Sequence, residues 1–337
     1  MIPLNRYIPI AFVAAATALS ALAQGNPGTI LSAGYVSPTA INVAPGQIIT
    51  VYAAGVGSTL TQAVYAPAGK WPTSLAGIGV TIVQGGTNYP APIQEVSPVE
   101  TCGSGCGAIT AITMQVPYGL WTGCALSNTA CPALVMLTEF FVTENGVAGP
   151  ISGLNPEGDQ VHILTACDPV ITGGAGSLAF GGWPCQPIVT HADGTLVSNN
   201  SPAVAGEELV IYALGLGATT PAATAGQPVS QPTPTAETFT LDFNYHPNAL
   251  ASRPPILPSP VAAGGTAPLV PLFTGLTPGY PGLYQINFVV PPLQDGELPC
   301  EAGVAPPPGG LVNTNLTVSV GGTASFDGAG ICVALVE

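Results

Sequence analysis

Short segments in which apolar and polar residues alternate recur along the chain, and glycine, proline or asparagine separates one segment from the next. In the segment 47–54, Ile49, Val51 and Ala53 share one face and the residues between them share the other. A side-chain period of two is typical of a β-strand with one buried face. The same pattern predicts strands at 29–35, 78–83, 109–116, 134–144, 160–165, 207–214, 238–244, 283–291, 313–320 and 331–336. The chain is therefore predicted to be all-β.

One predicted strand and its flanking turns occur twice. Residues 45–57 match residues 205–217 at a constant offset of 160 (205 − 45), with identical pairs at Gly46/Gly206, Tyr52/Tyr212, Ala53/Ala213, Gly55/Gly215 and Gly57/Gly217. A second match joins 112–117 to 286–291 at an offset of 174 (291 − 117), so the second copy carries about 14 more residues in its loops. Because internal repeats indicate repeated structural units, the sequence predicts two copies of one β domain.

With about six or seven strands per domain separated by turn signals, the pattern is typical of a β-sandwich of immunoglobulin-like type. A β-barrel is the alternative. The predicted organisation is a signal peptide at 1–23, a first immunoglobulin-like domain at 24–165, a disulfide-clipped junction at 166–187, and a second immunoglobulin-like domain at 188–337. The 43 glycines and 37 prolines disfavour long helices, because both residues break them.

The first segment has the features of a secretory signal. Arg6 supplies a positive charge, residues 8–22 are almost wholly apolar, and Ala-Leu-Ala at 21–23 fits the small-residue cleavage rule, leaving Gln24 as the mature start. A retained membrane anchor is the alternative, disfavoured because the apolar run is short for a membrane span. We expect a protein that is secreted or held at the cell surface, with no membrane span once the signal is removed.

The charge balance excludes several classes of partner. The chain has 17 acidic residues and 3 basic ones, a net charge of −14. Nucleic-acid binding needs lysine and arginine to neutralise phosphates, and anionic membrane surfaces attract the same residues. The chain also differs from disordered sequences, which are rich in charge and poor in apolar residues, since 47% of its residues are apolar and 6% are charged. We therefore expect a folded protein that does not bind nucleic acid.

Eight cysteines in an exported chain predict four disulfides. Proximity within the predicted loops gives the expected pairs Cys102–Cys106, Cys124–Cys131, Cys167–Cys185 and Cys300–Cys332. The sequence alone does not fix this connectivity. A metal site at Cys102 and Cys106 is the alternative, but it lacks a second ligand pair at the spacing of zinc sites, so no metal is predicted.

Several motifs together resemble a known family. They are the repeated strand at 45–57, the segments 75–82 and 193–195, Asn-Ser-Pro-Ala at 200–203, Gly-Leu-Thr-Pro-Gly at 275–279, and 282–291 with its Tyr-Gln-Ile-Asn run. Over roughly residues 28–337 the chain looks like the uncharacterised C-terminal domain of exported proteins in Solibacter and other Acidobacteria, and its opening half looks like IPT/TIG immunoglobulin-like domains. The resemblance implies an exported, immunoglobulin-like protein without an established activity. The first copy departs from the pattern at 114–116 and carries cysteine-bearing insertions at 100–106 and 124–131.

The sequence carries no recognisable catalytic motif. Its histidines are His162, His191 and His246, and no Gly-x-Ser-x-Gly elbow accompanies them, as a serine hydrolase usually requires. His191 close to Asp193 is interpreted as part of an exposed turn, and His246 close to Asp242 as a surface pair. No phosphate-binding loop or dinucleotide fingerprint is present. The chain is therefore predicted not to be an enzyme, with no catalytic residue and no cofactor.

One acidic pair could serve a metal ion. Glu157 and Asp159 flank Gly158 in a predicted loop, and Ca²⁺ is bound by several carboxylate and carbonyl oxygens. The spacing is not that of an EF-hand loop, so a solvated turn is the favoured interpretation.

Three tryptophans are candidate ligand-binding residues. Trp71, Trp121 and Trp183 lie in loop-like contexts, where exposed indole rings could stack on sugars, although covering the ends of the core is the favoured interpretation. The favoured hypothesis for the whole chain is a non-catalytic structural or adhesive protein that assembles with itself or docks to another cell-surface or extracellular protein. The alternatives are a carbohydrate-binding module that uses these tryptophans, and a hydrolase with an unfamiliar site.

Overall fold

The computed structural model describes residues 29–33, 41–99, 108–122, 138–172, 185–247, 249–251, 269–292, 300 and 314–334. The predicted signal peptide lies outside these ranges. Regular structure within them is almost entirely β, in four sheets with one short helix, α1 (Pro169–Thr172), so the all-β prediction is confirmed. No helix in the described ranges combines the length and apolarity that crossing a membrane requires.

The strands of residues 29–156, which we call the first half, are β1 (Thr29–Ala33), β2 (Ile41–Val43), β3 (Ile48–Ala54), β4 (Val64–Tyr65), β5 (Ser74–Leu75), β6 (Ile78–Gln84), β7 (Thr87–Pro90), β8 (Ile93–Val99), β9 (Ile109–Gln115), β10 (Thr138–Glu144), β11 (Val147–Ala148) and β12 (Ser152–Pro156). Those of residues 162–334, the second half, are β13 (His162–Ile163), β14 (Val189–His191), β15 (Glu208–Leu214), β16 (Thr233–Pro234), β17 (Thr240–Asn244), β18 (Phe273–Leu276), β19 (Tyr284–Val289), β20 (Leu316–Gly321) and β21 (Phe326–Ile331). Within the described residues, strand pairing stays inside each half.

Two sheets enclose the core of the first half. One has the order β1-β3-β9-β8-β4, and the other has the order β2-β12-β10-β6-β5, with β7 beside β6 and β11 beside β10. Val51, Ile93 and Ile112 from the first sheet meet Ile82 and Phe140 from the second, and all five are fully buried. Burial of each such side chain contributes about 1.5–3 kcal/mol, so this core holds the two sheets together.

The second half repeats this arrangement with fewer strands. One sheet has the order β13-β15-β19-β18-β16, with β14 also paired to β15, and the other has the order β17-β20-β21. Ile211 and Ile286 of the first sheet pack in one buried cluster with Leu241 and Val318 of the second. The alternation seen in the sequence therefore places one face of β15, β17, β19 and β20 in a core.

The sequence repeat is also a repeat in strand register. Ile48 of β3 pairs with Gln115 of β9, and Glu208 of β15 pairs with Val289 of β19. The two sequence offsets, 160 and 174, carry the first pair onto the second. The two copies therefore fold with the same pairing, although the second has the longer loops.

The turn before each repeated strand is also the same in both copies. Gly46 has a φ of 78° and donates its N–H to Val116 O at 2.9 Å, while Gly206 has a φ of 85° and donates to Val290 O at 2.9 Å. A positive φ of this size is unfavourable for residues other than glycine. The glycines retained by the repeat are thus required by the backbone of the turn.

Most predicted strands are found, with differences near the ends of the two halves. Those at 47–54, 78–83, 109–116 and 207–214 are confirmed to within one residue at each end. Of the strand predicted at 331–336, the described residues 332–334 form no strand, because β21 ends at Ile331; residues 335–336 lie outside the described residues. Gly328 and Gly330 interrupt the apolar pattern of β21, and glycine weakens a strand signal.

The segment 160–165, which the sequence assigns to the end of the first domain, contributes β13 to the second half. His162 of β13 pairs with Leu214 of β15, the position that Thr29 of β1 occupies opposite Ala54 of β3. The edge of β15 offers unpaired N–H and C=O groups, and the chain leaving the first half satisfies them. The strand pairing of the second half therefore begins before residue 165.

The cysteines agree in part with the predicted pairs. Cys167 and Cys185 form the expected disulfide. Cys300 and Cys332 are thiols, so the predicted bond between them is not formed; Cys300 Sγ instead donates to Asn315 Oδ1 at 3.0 Å. A hydrogen bond between the two thiols lowers the pKa of Cys300 and raises that of Cys332. The remaining cysteines lie outside the described residues: Cys102, Cys106, Cys124 and Cys131.

Candidate functional site

An apolar groove opens in the second half, between its two sheets. Phe243 of β17 and Phe288 of β19 line it, with ring centroids 6.1 Å apart, and the turns at 205–206 and 291–292 border it. Its volume is about 550 Å³, inside the span of about 300–1,000 Å³ that is typical of ligand pockets. Among the described residues that line it, none is charged. The groove is therefore suited to an apolar occupant.

Two exposed apolar residues form what we call the groove lip. Val270 is 67% exposed and Leu272 is 61% exposed, and both line the groove. Val289, which is 45% exposed, also borders the groove, but strand alternation places its side chain on the face of β19 opposite to that of Phe288. Exposed apolar patches mark interaction sites more often than ordinary protein surface. The lip is thus the part of the groove that a partner would meet first.

Two of the residues that border the groove have counterparts in the first half that are covered. Gly206 corresponds to Gly46, and Val289 corresponds to Gln115. Gln115 is 1% exposed, and its Oε1 accepts a hydrogen bond at 2.6 Å from the N–H of Gly226, which belongs to the second half. The outer face of β19 at Val289 therefore corresponds to an interface between the halves in the first copy.

Tyr118 completes that interface. Its ring lies over Gly46, where a Cβ would collide with it, and its hydroxyl hydrogen-bonds to Tyr284 in the core of the second half. Burial raises the pKa of Tyr118 to about 12. In the second copy Pro292 stands at this position, and no atom of the described residues lies within 4 Å of a Cβ built on Gly206. The second copy lacks the aromatic ring that closes the first.

The turn that borders the groove is held in the same way in both copies. Gln47 Oε1 accepts a hydrogen bond from Ala44 N at 2.8 Å, and Glu207 Oε2 accepts one from Val204 N at 3.0 Å. Each side chain thus binds a backbone N–H three residues before it, in the manner of a turn cap. The groove border is consequently a fixed part of the fold.

In the second copy the capping carboxylate also binds an imidazole. His191 Nδ1 lies 2.6 Å from Glu207 Oε1, and His191 Nε2 lies 3.2 Å from both Oγ and the backbone O of Ser201. The hydrogen bond to Glu207 raises the pKa of His191. Serine, histidine and carboxylate are the groups of a hydrolytic triad. The sequence interpretation missed this set, because it considered only the carboxylate nearest in the chain, Asp193.

The contacts of His191 favour a structural role over a role as a catalytic base. A general base must offer a free lone pair on Nε2 to the serine hydroxyl. The backbone O of Ser201 can only accept, so its contact with Nε2 requires that nitrogen to carry a proton, and the raised pKa favours the protonated ring. The imidazole therefore ties β14 to the turn before β15. None of these three side chains lines the groove.

Trp71 and Trp121, two of the three candidate ligand-binding tryptophans, differ in their exposure to solvent. Trp71 is 7% exposed and packs with Ile48, Leu164 and Leu214 where the two halves meet. The candidate role of Trp71 in ligand binding is therefore wrong, because a buried indole cannot stack on a sugar. Trp183 lies outside the described residues.

Trp121 is exposed and rigidly held. Its side chain is 62% exposed, while its backbone N–H donates to Gln84 Oε1 at 2.8 Å and its carbonyl accepts from Gln84 Nε2 at 3.0 Å. Gln84 is buried in β6 and also donates to Thr138 Oγ1 at 2.9 Å. The sheet thus fixes the backbone that presents this indole to solvent.

A second imidazole lies between two carboxylates. His162 Nε2 is 2.6 Å from Asp168 Oδ1, and His162 Nδ1 is 3.4 Å from Asp327 Oδ2. Burial alone would lower the pKa of His162, but the hydrogen bonds and charges of the two carboxylates outweigh it and raise the pKa to about 9. Thr165 fixes Asp168 by donating its N–H and its hydroxyl to Oδ2 at 2.6 and 2.8 Å. The ion pair between His162 of β13 and Asp327 of β21 therefore links these two strands.

The acidic pair considered for Ca²⁺ has another role. Asp159 is fully buried, so its interpretation as part of a solvated turn is wrong. Its carboxylate accepts from the N–H groups of Thr323, Ala324 and Ser325 and from the hydroxyls of Thr323 and Ser325, at 2.6 to 3.1 Å. These donors occupy the lone pairs that a cation would need. Among the described residues, no group of three or more His, Cys, Asp or Glu side chains is placed to hold a metal ion.

Neither a protein-family model nor a curated protein sequence matches the chain.

Proposed function

We propose that the chain is an exported, non-catalytic protein with a structural or adhesive role, and that it holds its partner through the apolar groove. The exposure of the groove lip carries this proposal. Val270 is 67% exposed and Leu272 is 61% exposed beside a groove in which none of the described lining residues is charged. Contact with a partner removes such apolar surface from water, which is the main favourable term in protein association.

The proposed architecture is a tandem pair of immunoglobulin-like sandwiches, as the family resemblance implies. In the first half, β2 joins the second sheet by pairing parallel to β12. In the second half, a parallel bridge joins Ala203 to Val333. This shared parallel contact supports a common sandwich topology for the two copies. Sandwiches of this kind are frequent in cell-surface proteins, and the disulfide between Cys167 and Cys185 is compatible with an oxidising compartment.

The groove lip should govern adhesion to an apolar surface. We expect the wild-type protein to bind an alkyl-coated sensor, and the variants Val270→Lys and Leu272→Lys to bind at least about tenfold more weakly, because a charge at the lip must be dehydrated on contact. The measurement is the mass retained on a quartz-crystal microbalance after washing in buffer.

The matched control for this experiment is Ile151→Lys. Ile151 and Leu272 are both 61% exposed, but Ile151 lies in the first half, away from the residues that line the groove. This variant should bind like the wild type. Equal loss in all three variants would show that adhesion depends on general surface hydrophobicity, and the proposal would then fail.

Carbohydrate binding through Trp121 is a second candidate function. The buried Gln84 holds the backbone of Trp121 from both sides while its indole stays 62% exposed. A flat apolar ring presented at little cost in conformational entropy is the usual platform for a sugar face.

A glycan array separates this candidate from adhesion through the groove. If Trp121 binds a glycan, Trp121→Ala should lose at least about tenfold in affinity for every glycan that the wild type retains. Tyr65→Ala is the control, since Tyr65 is 63% exposed on β4, whereas Trp121 lies in the loop after β9, and this variant should leave binding unchanged. An array that stays blank for the wild type rules the candidate out.

A further inference from the structure

We infer that Cys300 and Cys332 form a thiol–disulfide exchange site, in which Cys300 attacks a low-molecular-weight disulfide such as oxidised glutathione and Cys332 resolves the mixed disulfide that results. Both residues are thiols, whereas Cys167 and Cys185 form a disulfide. The described residues that line the apolar groove include neither Cys300 nor Cys332. This site therefore goes beyond the proposed function and does not depend on it.

A buried asparagine fixes the position of Cys300 relative to Cys332. Asn315, which directly precedes β20, is 1% exposed. Its Nδ2 donates to Val333 O at 2.9 Å and its Oδ1 accepts from Val333 N at 2.8 Å, so the side chain is paired with the backbone of the residue after Cys332. The same Oδ1 accepts a hydrogen bond from Cys300 Sγ at 3.0 Å. Cys300 is therefore held beside the segment that carries Cys332.

The backbone at Cys332 is fixed by a second segment. Cys332 O accepts a hydrogen bond from Ala203 N at 2.9 Å, and Ala334 N donates to Ala203 O at 2.7 Å. The thiol of Cys332 hydrogen-bonds to that of Cys300. The two sulfur atoms are thus in contact, on two segments that the fold holds together, before any covalent bond forms between them.

The two thiols differ in the properties that decide which one attacks. Cys300 is partly exposed and Cys332 is buried, so a disulfide from solvent reaches Cys300 first. The hydrogen bond from the Cys332 thiol is the main factor that lowers the pKa of Cys300, and backbone hydrogen bonds from Val333 and Asn315 add to it against the effect of burial. The same contact with Cys300 raises the pKa of Cys332. Because the thiolate is the nucleophile, Cys300 is the attacking thiol and Cys332 is the resolving thiol.

The exchange consists of two balanced steps. Cys300 releases its proton to solvent, and its thiolate attacks one sulfur of the small disulfide, whose S–S bond breaks so that one thiolate leaves and takes up a proton. Cys332 then releases its proton and attacks Cys300 Sγ, which forms the bond between the two cysteines and expels the second small thiol. The cysteine pair loses two electrons, and the small disulfide gains them.

Mass spectrometry of the full chain treated with oxidised glutathione tests this site. The protein is first reduced mildly, then exposed to oxidised glutathione, quenched with acid at intervals and digested with pepsin, so that each product is located by its peptide. The wild type should pass through a glutathione adduct at Cys300 and end as the Cys300–Cys332 disulfide. In Cys332→Ser the adduct at Cys300 should persist, and in Cys300→Ser the thiol at Cys332 should stay unmodified.

Reversal of the reaction separates an exchange site from a structural disulfide. An excess of reduced glutathione should return Cys300 and Cys332 to thiols, whereas structural disulfides of secreted proteins resist reduction by glutathione. Cys332→Ala repeats the first experiment without placing a hydroxyl at this buried position, and circular dichroism checks the folding of each variant. The order of events in the wild type is decisive even if a variant does not fold.

Three results would overturn the inference. The first is an adduct that forms at Cys332 before Cys300, which reverses the assigned roles. The second is a wild type in which neither cysteine takes up glutathione. The third is a Cys300–Cys332 bond that reduced glutathione does not reopen, which identifies a structural disulfide. None of these results bears on adhesion through the groove lip, so the proposed function is decided by its own experiment.

Discussion

Replacing Gly215 with alanine is expected to lower the free energy of unfolding by at least about 3 kcal/mol. Gly215 has a φ of 74°, which costs other residues about 1–2 kcal/mol. A Cβ at this position would also collide with the backbone O of Gln160. That contact cannot relax easily, since Gln160 N donates to Gly215 O at 2.7 Å and fixes the distance between the two segments. Equilibrium unfolding in urea measures the loss.

Gly206→Ala is the matched control. Gly206 has a φ of 85°, so alanine meets a similar backbone penalty there, but no other atom in the described part of the chain lies within 4 Å of its Cβ. We expect a loss of only about 1–2 kcal/mol. If the two variants lose the same free energy, the close approach at Gly215 is not the cause and the argument from the clash is wrong.

The difference between these glycines shows how the halves are joined. Gly215 and Gly217 follow β15, and a Cβ on either would strike the backbone O of Gln160 or of Gly158. Asp159 lies between those two residues and binds the turn at 322–325 with its carboxylate. Residues 158–160 thus pack against the glycines that follow β15, and the Asp159 carboxylate binds them to the turn at 322–325. Glycine is needed at Gly215 and Gly217 for this packing as well as for the turn.

The strands and their register could be predicted because the determining information is local or repeated. The alternation at 47–54 and 207–214 gives the buried faces, and the two offsets require the same pairing in both copies. The structure confirms both strands to within one residue. Ile48 pairs with Gln115 in the first copy, and the corresponding residues, Glu208 and Val289, pair in the second. Gly46 and Gly206, which the repeat retains, both have a positive φ.

The site could not be predicted because it depends on contacts between distant segments. Trp71 and Trp121 both lie in loops, but Trp71 is buried where it packs against Leu164 and Leu214 of the second half. Nothing local to Val289 indicates that its counterpart Gln115 is covered while it stays exposed. The sequence signal that could have found the groove was the replacement of Tyr118 by Pro292 at equivalent positions of the repeat.

The stability of the fold is expected to fall by roughly 2–3 kcal/mol as the pH rises from neutral through 9, because of His162. Its two carboxylate partners raise its pKa from 6.5 to about 9 in the folded protein. Between these values the folded protein keeps a proton that the unfolded chain has released, so rising pH favours unfolding. The contribution is complete below pH 6.5 and is lost through about pH 9. Urea unfolding at a series of pH values measures it.

The variant His162→Gln isolates this effect. Other groups also titrate in this range, among them His191, whose pKa is raised by Glu207, so the informative quantity is the difference between wild type and variant at each pH. That difference should be largest near pH 6 and shrink as the pH rises, because only the wild type has a cation to lose at position 162. On the acid side it should shrink again below pH 3.8, where Asp168, whose pKa is lowered mainly by His162 against the effect of burial, gains its proton. His191→Gln should leave most of the decline in place. Parallel curves for the wild type and His162→Gln would contradict the proposed charge on His162 and the link it provides between β13 and β21.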